Sequence, residues 1–301
     1  MTARPVGEAA VLLAVFGSVL LWASAFPVMK ALLGVMHPMA MIWARMIIAS
    51  IILLPFVARG WKRAERRKGD IWWLLALAGF EPCLYFSLEM HALTLTSASQ
   101  AGMVVAVFPL LAALGGVIFY HEPMSRNMSA GLLLSIAGVI GLTLAGGPDL
   151  SAPHPWLGNF MEFLAMVAAT GYMLIVKRMS RRYDIWLLTG IQMMTGAVFF
   201  LPGAFDLFGP DRAVLSTPRN GGLLLYLGIG VTVLAYGLYN AGISRLTAAR
   251  ASVMLNLIPV LAVLISWLWL GERLNSVQML FAALTLAGVM LAQKRPRTFP
   301  A

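Results

Sequence analysis

An all-α integral membrane protein of ten transmembrane helices, built as two inverted five-helix repeats, is the fold this sequence predicts. Three observations carry the prediction: an apolar composition, ten apolar runs of spanning length, and a match between the two halves of the chain. Of 301 residues, 60% are hydrophobic and only 11% charged, against about 25% charged in an ordinary globular chain. Such a chain could not cover its surface in water, whereas lipid solvates an apolar exterior. Cytosolic enzymes, nucleic-acid binders and disordered proteins are excluded on that ground. The net charge of +10 does not restore nucleic acid as a partner, because the basic residues stand between apolar blocks and not on one face or tail. A single cysteine, Cys83, rules out an internal disulfide framework and Cys-x-x-Cys metal knuckles.

Runs of about 17 to 25 apolar residues fall near 9–33, 38–58, 71–91, 97–120, 128–146, 156–177, 184–203, 221–243, 249–270 and 275–293. They leave no room for a soluble domain. Cytoplasmic connections retain lysine and arginine, and with the N-terminus inside, seventeen of the 22 basic residues fall in inside segments. The densest groups there are Arg59 to Lys68 and Lys177 to Arg182, while the outside connections hold only Arg212, Arg219 and Arg273. Both termini are therefore expected in the cytoplasm, with the chain multi-pass in a bacterial inner membrane. Arg4, the apolar run 9–21 and the triplet Ala23, Ser24, Ala25 also imitate a cleavable secretory signal. Cleavage would leave nine spans and spoil the charge asymmetry, so the first span is read as retained.

Sliding the chain against itself by 150 residues aligns 97–142 with 247–292 without a gap, and eleven of 46 positions are identical. Apolar identities are cheap in such a chain, but Pro109 with Pro259 and Glu122 with Glu272 are not. An offset of 147 brings Lys30 onto Lys177 and Pro55 onto Pro202 near the start of each half. The halves are placed at 1–146 and 156–293, five spans each. Five is odd, so the second half crosses the membrane in the opposite sense, the design of many secondary transporters whose substrate lies near the midplane between the halves.

The run Thr96, Ser97, Ala98, Ser99, Gln100, Ala101, followed by Phe108, Pro109 and His121, Glu122, Pro123, resembles the core of the drug/metabolite transporter superfamily, EamA type. Its second copy reads Thr247, Ala248, Ala249, Arg250, Ala251, then Ile258, Pro259 and Gly271, Glu272; Trp22 to Phe26 is similar to the family's opening tryptophan motif. His121 stands where that family usually has glycine. The stretch Glu81, Pro82, Cys83, Leu84 through Ser87, Leu88 is similar to amino-acid exporters of the YddG type. The resemblance implies ten spans in two inverted halves and export as the direction of transport.

Helical faces nominate the residues of the path. In span 3, Glu81, Tyr85 and Glu89 recur every four residues and fall on one face of a regular helix. Span 8 presents Thr232, Tyr236, Tyr239 and Asn240 on a comparable stripe. Ionisable groups inside a span are costly against lipid and usually face a wet cavity or a partner. Glu81 reads either as a contact for a substrate ammonium or proton, or as a structural pair with Arg45 or a bond at the Pro82 kink. Glu89 and His91 read as solvated near the outer end. Arg45 reads as a structural ion pair or carbonyl contact, and Lys30 and Lys177 as snorkelling.

Trp61, Trp72, Trp73, Trp156 and Trp186 fall at span ends and are assigned to the interfacial belt. Trp22, Tyr85, Tyr172 and Tyr236 lie deeper and are expected, with Ser24, to line a central substrate cavity. Gln100, Met103 and Asn256 complete that lining. Pro109 and Pro259 each remove a backbone hydrogen bond and, as an equivalent pair, are expected hinges for alternating access.

An aromatic cavity with few cations suits amino acids or related small metabolites better than sugar phosphates, which need Lys or Arg clamps. Efflux of cationic aromatic drugs is the second reading of the same design. An intramembrane enzyme is the third, and it lacks support: His37, His91, His121 and His154 fall at span ends, and no Gly-x-Ser-x-Gly or His-Glu-x-x-His motif occurs. No cofactor or metal is expected. The partners expected are a small-molecule substrate and the lipid bilayer, with protons open as the coupling ion and a monomer as the working unit.

Overall fold

A computed structural model describes residues 8–121, 125–243 and 254–293, and the side chains of 9–121, 125–239 and 254–293. Every regular element among them is helical: α1 Glu8–Leu33, α2 Pro38–Arg63, α3 Asp70–Ala78, a π turn Gly79–Leu84, α4 Tyr85–Leu95, α5 Ala98–Val104, a 3₁₀ turn Val105–Val107, α6 Phe108–Tyr120, α7 Arg126–Leu144 and α8 Pro155–Met179. There follow α9 Ile185–Phe199, α10 Pro202–Phe208, α11 Arg212–Leu215, α12 Pro218–Leu225, a π segment Tyr226–Leu234, α13 Ala235–Ile243, α14 Leu257–Leu270 and α15 Ser276–Gln293. Eight helical segments among the described residues are long and apolar enough to cross a membrane, or nine if α9 and α10, bent by 69°, form one span. The ninth of the expected spans, 249–270, begins outside the described residues, and its described part, α14, has 14 residues.

The ends of the helices follow from their local chemistry. Ser97, Ser125 and Asp184 each accept a hydrogen bond from a first-turn amide of α5, α7 and α9, meeting donors that a helix start leaves unpaired. At the other end, α6 stops at His121 and α14 at Gly271, both left-handed (φ 54° and 71°). These two positions are 150 residues apart, so the glycine-less stop at His121 repeats the geometry that glycine adopts freely.

Large apolar side chains cover the outside. Leu13, Trp72, Leu133, Leu144, Val198, Phe205 and Leu280 are all exposed, a surface that only lipid solvates. Trp61, Trp73 and Trp156 are exposed at helix ends, as the belt assignment expects, whereas Trp186 is half-buried against Phe56. Inside, the main core joins α1, α2, α4, α9 and α14 through Phe26, Met29, Met46, Leu53, Phe86, Met193 and Ala262.

The helices pack in specific pairs: α2 on α9, α7 on α15, α4 on α8, α1 on α13 and α14, and α6 on α8. The α7–α15 approach is set by glycine, since a Cβ on Gly288 would run into the backbone of Gly131 and Ser135, and one on Gly138 would meet Thr285. There the Ser135 hydroxyl donates to the Thr285 carbonyl at 3.0 Å.

Two charged side chains hold neighbouring helix ends. Glu272 accepts from the amides of Ala98 (3.0 Å) and Ser99 (2.8 Å) at the start of α5. Lys30 does not snorkel: its ammonium donates to the Leu93 and Thr96 carbonyls at 2.6 and 2.7 Å. Those oxygens lie where α4 ends and leaves its last acceptors open, which draws the cation inward. In the nearby 145–154 connection, the Ser151 hydroxyl, aided by the amides of Ser151 and Ala152, holds the Asp149 carboxyl below the usual carboxylate range.

Candidate functional site

Two of the spans lose regular helix at mid-length, and the site is built there. In Asp70–Leu95 the π turn takes Glu81 out of the helical region (φ −144°, ψ 119°), and Pro82 has no amide to donate. The side chain of Gln192 on α9 repairs the break by donating to the Glu81 carbonyl at 2.8 Å. Regular helix resumes at Tyr85, so Glu81 does not share a continuous stripe with Tyr85 and Glu89 as a period of four would have it. In the other span, the π segment lets the Thr232 hydroxyl donate to the Leu227 carbonyl at 2.9 Å. Breaks of this type are frequent at functional positions.

The breaks bring Glu81 and Tyr236 together. The Tyr236 hydroxyl donates to Glu81 Oε1 at 2.8 Å, and the Tyr172 hydroxyl interacts with that of Tyr236. Trp22 stands edge-on to Tyr236 (centroids 5.4 Å, 77°) and beside Tyr239 (5.1 Å). Ser24 and Tyr226 share a hydroxyl–hydroxyl bond at 2.5 Å. Glu81 is 5% exposed; the rings form a largely apolar wall with a carboxylate and the hydroxyls of Tyr172, Tyr236 and Tyr239 set into it. A carboxylate beside aromatic faces suits a cationic head on an apolar body.

Arg45 is buried among these groups and forms no ion pair among the described residues. It donates to Thr232 Oγ1 at 2.7 Å and lies 4.5 Å over the Phe86 ring. Among the described residues no salt bridge joins it to Glu81, so the sequence-based pairing gives way to a hydroxyl and a ring that the fold places closer. Glu89 also departs from expectation. It is not solvated at the interface but 3% exposed, with Oε1 accepting from Tyr85 at 2.6 Å. His91, two residues on and about half a turn round the helix, is exposed and bonded to the Ser87 carbonyl.

The remaining predicted residues lie apart from this cluster. Gln100 is buried in a polar network in which Asn159 donates to it at 2.9 Å and to Thr143 at 3.0 Å, while Thr96 donates to Asn159 at 2.8 Å. Met103 packs with Leu142 and Ala282 in an apolar cluster. Asn256 precedes α14, its Oδ1 buried without a hydrogen-bond partner among the described residues. Pro109 follows the 3₁₀ turn in the first turn of α6, and Pro259 lies in the first turn of α14. The side chain of Asn240 lies outside the described residues, as do Glu122 and the 247–251 motif.

Sequence reasoning passed over Tyr226, Asn159 and Glu162. Glu162 was findable, being a lone carboxylate inside an apolar run, the same signal that marked Glu81. Tyr226 sits near a predicted span end and carried no such signal.

The structure also holds a cavity of about 710 Å³ lined by Arg67, Tyr120, Lys177, Arg178, Arg181 and Arg182. It lies at the bundle end where Arg182 clamps Asp70 through two bonds of 2.7 Å. Lys177 lies over Tyr120 and Arg178 over Trp73, each 4.4 Å from the ring centre. A second cavity, about 360 Å³, is lined by Phe208, Arg212, Leu215 and Ser216. Neither is lined by the residues predicted for the substrate; those that cluster, Trp22, Glu81, Tyr236 and Tyr239, pack on one another.

A model of the EamA-like transporter family matches residues 9–144 and again 156–293. The chain belongs to the EamA-like transporter family. The uncharacterized transporter YetK of Bacillus subtilis is 25% identical over 85% of this chain and 79% of its own length. A probable terminal-alkyne amino-acid exporter of Streptantibioticus cattleyicolor is 26% identical over 92% of this chain and 91% of its own. A solved crystal structure matches in fold with a TM-score of 0.61 at 20% identity, covering 95% of this chain and 97% of that one. This EamA-like protein is thus a membrane transporter, and family and named relatives alike are transporters and not enzymes.

Proposed function

We propose that this EamA-like transporter exports amino acids, aromatic and neutral ones included, or closely related small metabolites, by alternating access between two inverted halves. The observation that carries this reading is the bond between Glu81 and Tyr236, made where two spans break in mid-helix and walled by Trp22 and Tyr239. Discontinuous helices are how many transporters present polar groups at the midplane. Glu81 would take the substrate ammonium, and the rings would hold its side chain. The relative named as an amino-acid exporter supports the substrate class, and the resemblance supplies the direction.

Ten spans in halves 1–146 and 156–293 are part of this proposal, and the packing supports them. Ser135 bonds to Thr285, its own counterpart at the 150 offset, while Gly138 meets Thr285 and Gly288 meets Ser135. A residue touching its own counterpart, with neighbours exchanging reciprocally, is what a twofold axis produces. Likewise α2 packs on its counterpart α9, and the α4–α8 contact mirrors α13–α1. The end bearing Arg67 and Lys177 to Arg182 faces the cytoplasm by the positive-inside rule, with both termini on that side of the plasma membrane. Pro109 and Pro259 serve as the hinges, Gln100 and Asn256 line the path as it opens, and the packed arrangement of Trp22, Glu81 and Tyr236 is a closed one.

Counterflow of radiolabelled amino acids, sugar phosphates and aromatic cations in liposomes containing the purified protein tests the reading. Amino acids should exchange, and Glu81→Gln should raise KM about 10- to 100-fold, the equivalent of one charge-assisted contact of about 1.5–3 kcal/mol. Exchange of aromatic cations in place of amino acids would make the protein a drug exporter. Exchange of sugar phosphates alone would sink both.

A further inference from the structure

Glu81 is not the deepest carboxyl problem in this molecule. Glu162 on α8 is completely buried, and among the described residues neither of its carboxyl oxygens has a hydrogen-bond partner. Glu89 on α4 is 3% exposed; Tyr85 occupies its Oε1, and its Oε2 has no partner among the described residues. The two lie at similar depth, Glu89 six residues before the end of α4 and Glu162 seven after the start of α8. That is about 10 Å from the helix ends. Helices α4 and α8 pack directly, and closely, because a Cβ on Gly158 would run into the Ala92 carbonyl and Thr96. Each carboxyl is within electrostatic reach of the other.

Three open acceptor positions inside a membrane protein are an arrangement that burial alone opposes, since an ionised carboxylate without a partner is among the costliest groups to bury. A bound cation relieves it. Among the described residues no group of three or more His, Cys, Asp or Glu side chains is placed to hold a metal ion, and hard metal cations take six or more oxygens. A proton needs one oxygen from each carboxyl. The groups facing the pair are Tyr85 on α4, Glu81 on the π turn and Arg45 on α2; Arg45 partly offsets one negative charge and leaves the other for the proton.

We propose that Glu89 and Glu162 form a proton-binding site, separate from the Glu81 substrate site, and that this pair is where the transporter couples export to proton entry. A proton arriving from the exterior adds to one oxygen of the pair, giving one carboxylic acid whose O–H donates to the other carboxylate. It leaves into the cytoplasm as the conformation changes, restoring the two carboxylates as substrate moves outward. The coupling half of this proposal rests on the transport reading above; the proton-binding half does not.

Two measurements on the full-length protein separate these halves. Infrared difference spectra taken on a pH jump should show the carbonyl stretch of a buried carboxylic acid, lost in Glu162→Gln and shifted in Glu89→Gln. In liposomes, one proton exchanged per substrate lets a pH gradient of one unit sustain about a tenfold concentration ratio. That ratio should fall to about one in either variant, with counterflow measured alongside to normalise for folding and insertion. A carbonyl band unchanged in both variants overturns the proposal, as does an undiminished pH-driven ratio or a wild-type ratio that follows a sodium gradient instead. Absence of amino-acid counterflow in the wild type, with the band present and lost in Glu162→Gln, removes the amino-acid reading and leaves the proton site supported.

Discussion

Glu81 and Glu89 stand eight positions apart in one span, yet their surroundings are opposite. At Glu81 the helix is broken, and the break is answered: Tyr236 donates to its carboxyl and Gln192 to its carbonyl. At Glu89 the helix is regular, and what faces it is a second carboxyl, Glu162, with no hydrogen-bond donor among the described residues. The first region is a finished polar cluster. The second is unfinished unless something small and positive enters. Backbone irregularity and side-chain frustration thus lie in the same span at different depths, and only the first is balanced by the protein itself.

The sharpest way to break this contrast is at Arg45, the buried cation between the two regions. Arg45→Leu should destabilise the protein by about 2–3 kcal/mol, since it removes a charged donor from Thr232 and the buried cation nearest the carboxyls. Thermal unfolding in detergent measures it, and Arg45→Lys should recover part of the loss. A neutral outcome would mean that Arg45 stabilises neither Thr232 nor the carboxyls. Glu162→Met should do the reverse and stabilise by about 1–2 kcal/mol, because a side chain without a donor gives way to one that fills the same space. A lowered unfolding midpoint would show a partner at Glu162. Tyr236→Phe has a smaller expected effect, a loss of about 1 kcal/mol as Glu81 Oε1 loses its donor. The same change at Tyr85 should leave stability within about 0.5 kcal/mol if the proton already serves Glu89. Equal losses at Tyr85 and Tyr236 would erase the distinction between the regions.

Much of the fold was legible in the sequence, because a membrane protein writes its architecture in long apolar runs. The predicted starts near 9, 38, 71, 97, 128, 156, 184 and 275 fall within a few residues of the helices found there. The site was legible in part. Trp22, Glu81, Tyr236 and Tyr239 come together, and each was nominated as a polar or aromatic residue at depth. Gln100 and Met103 were nominated by the same logic and lie elsewhere, since depth along a helix does not say which neighbour the side chain meets. Glu89 was placed near water because it is close to a span end, and α8 covers it. Lys30 was given a free path to the interface, and the open carbonyls of α4 drew it inward.

Composition and period alone determined that this chain is helical and lipid-solvated and where its helices run. Those properties depend on summed transfer free energies and on chain length, both of which are carried by residues in order. Which carboxyls are answered and which are left open was decided only when helices far apart in the chain packed together. A hydrogen bond depends on a few tenths of an ångström between groups as distant in sequence as Glu81 and Tyr236, and no local pattern encodes that distance.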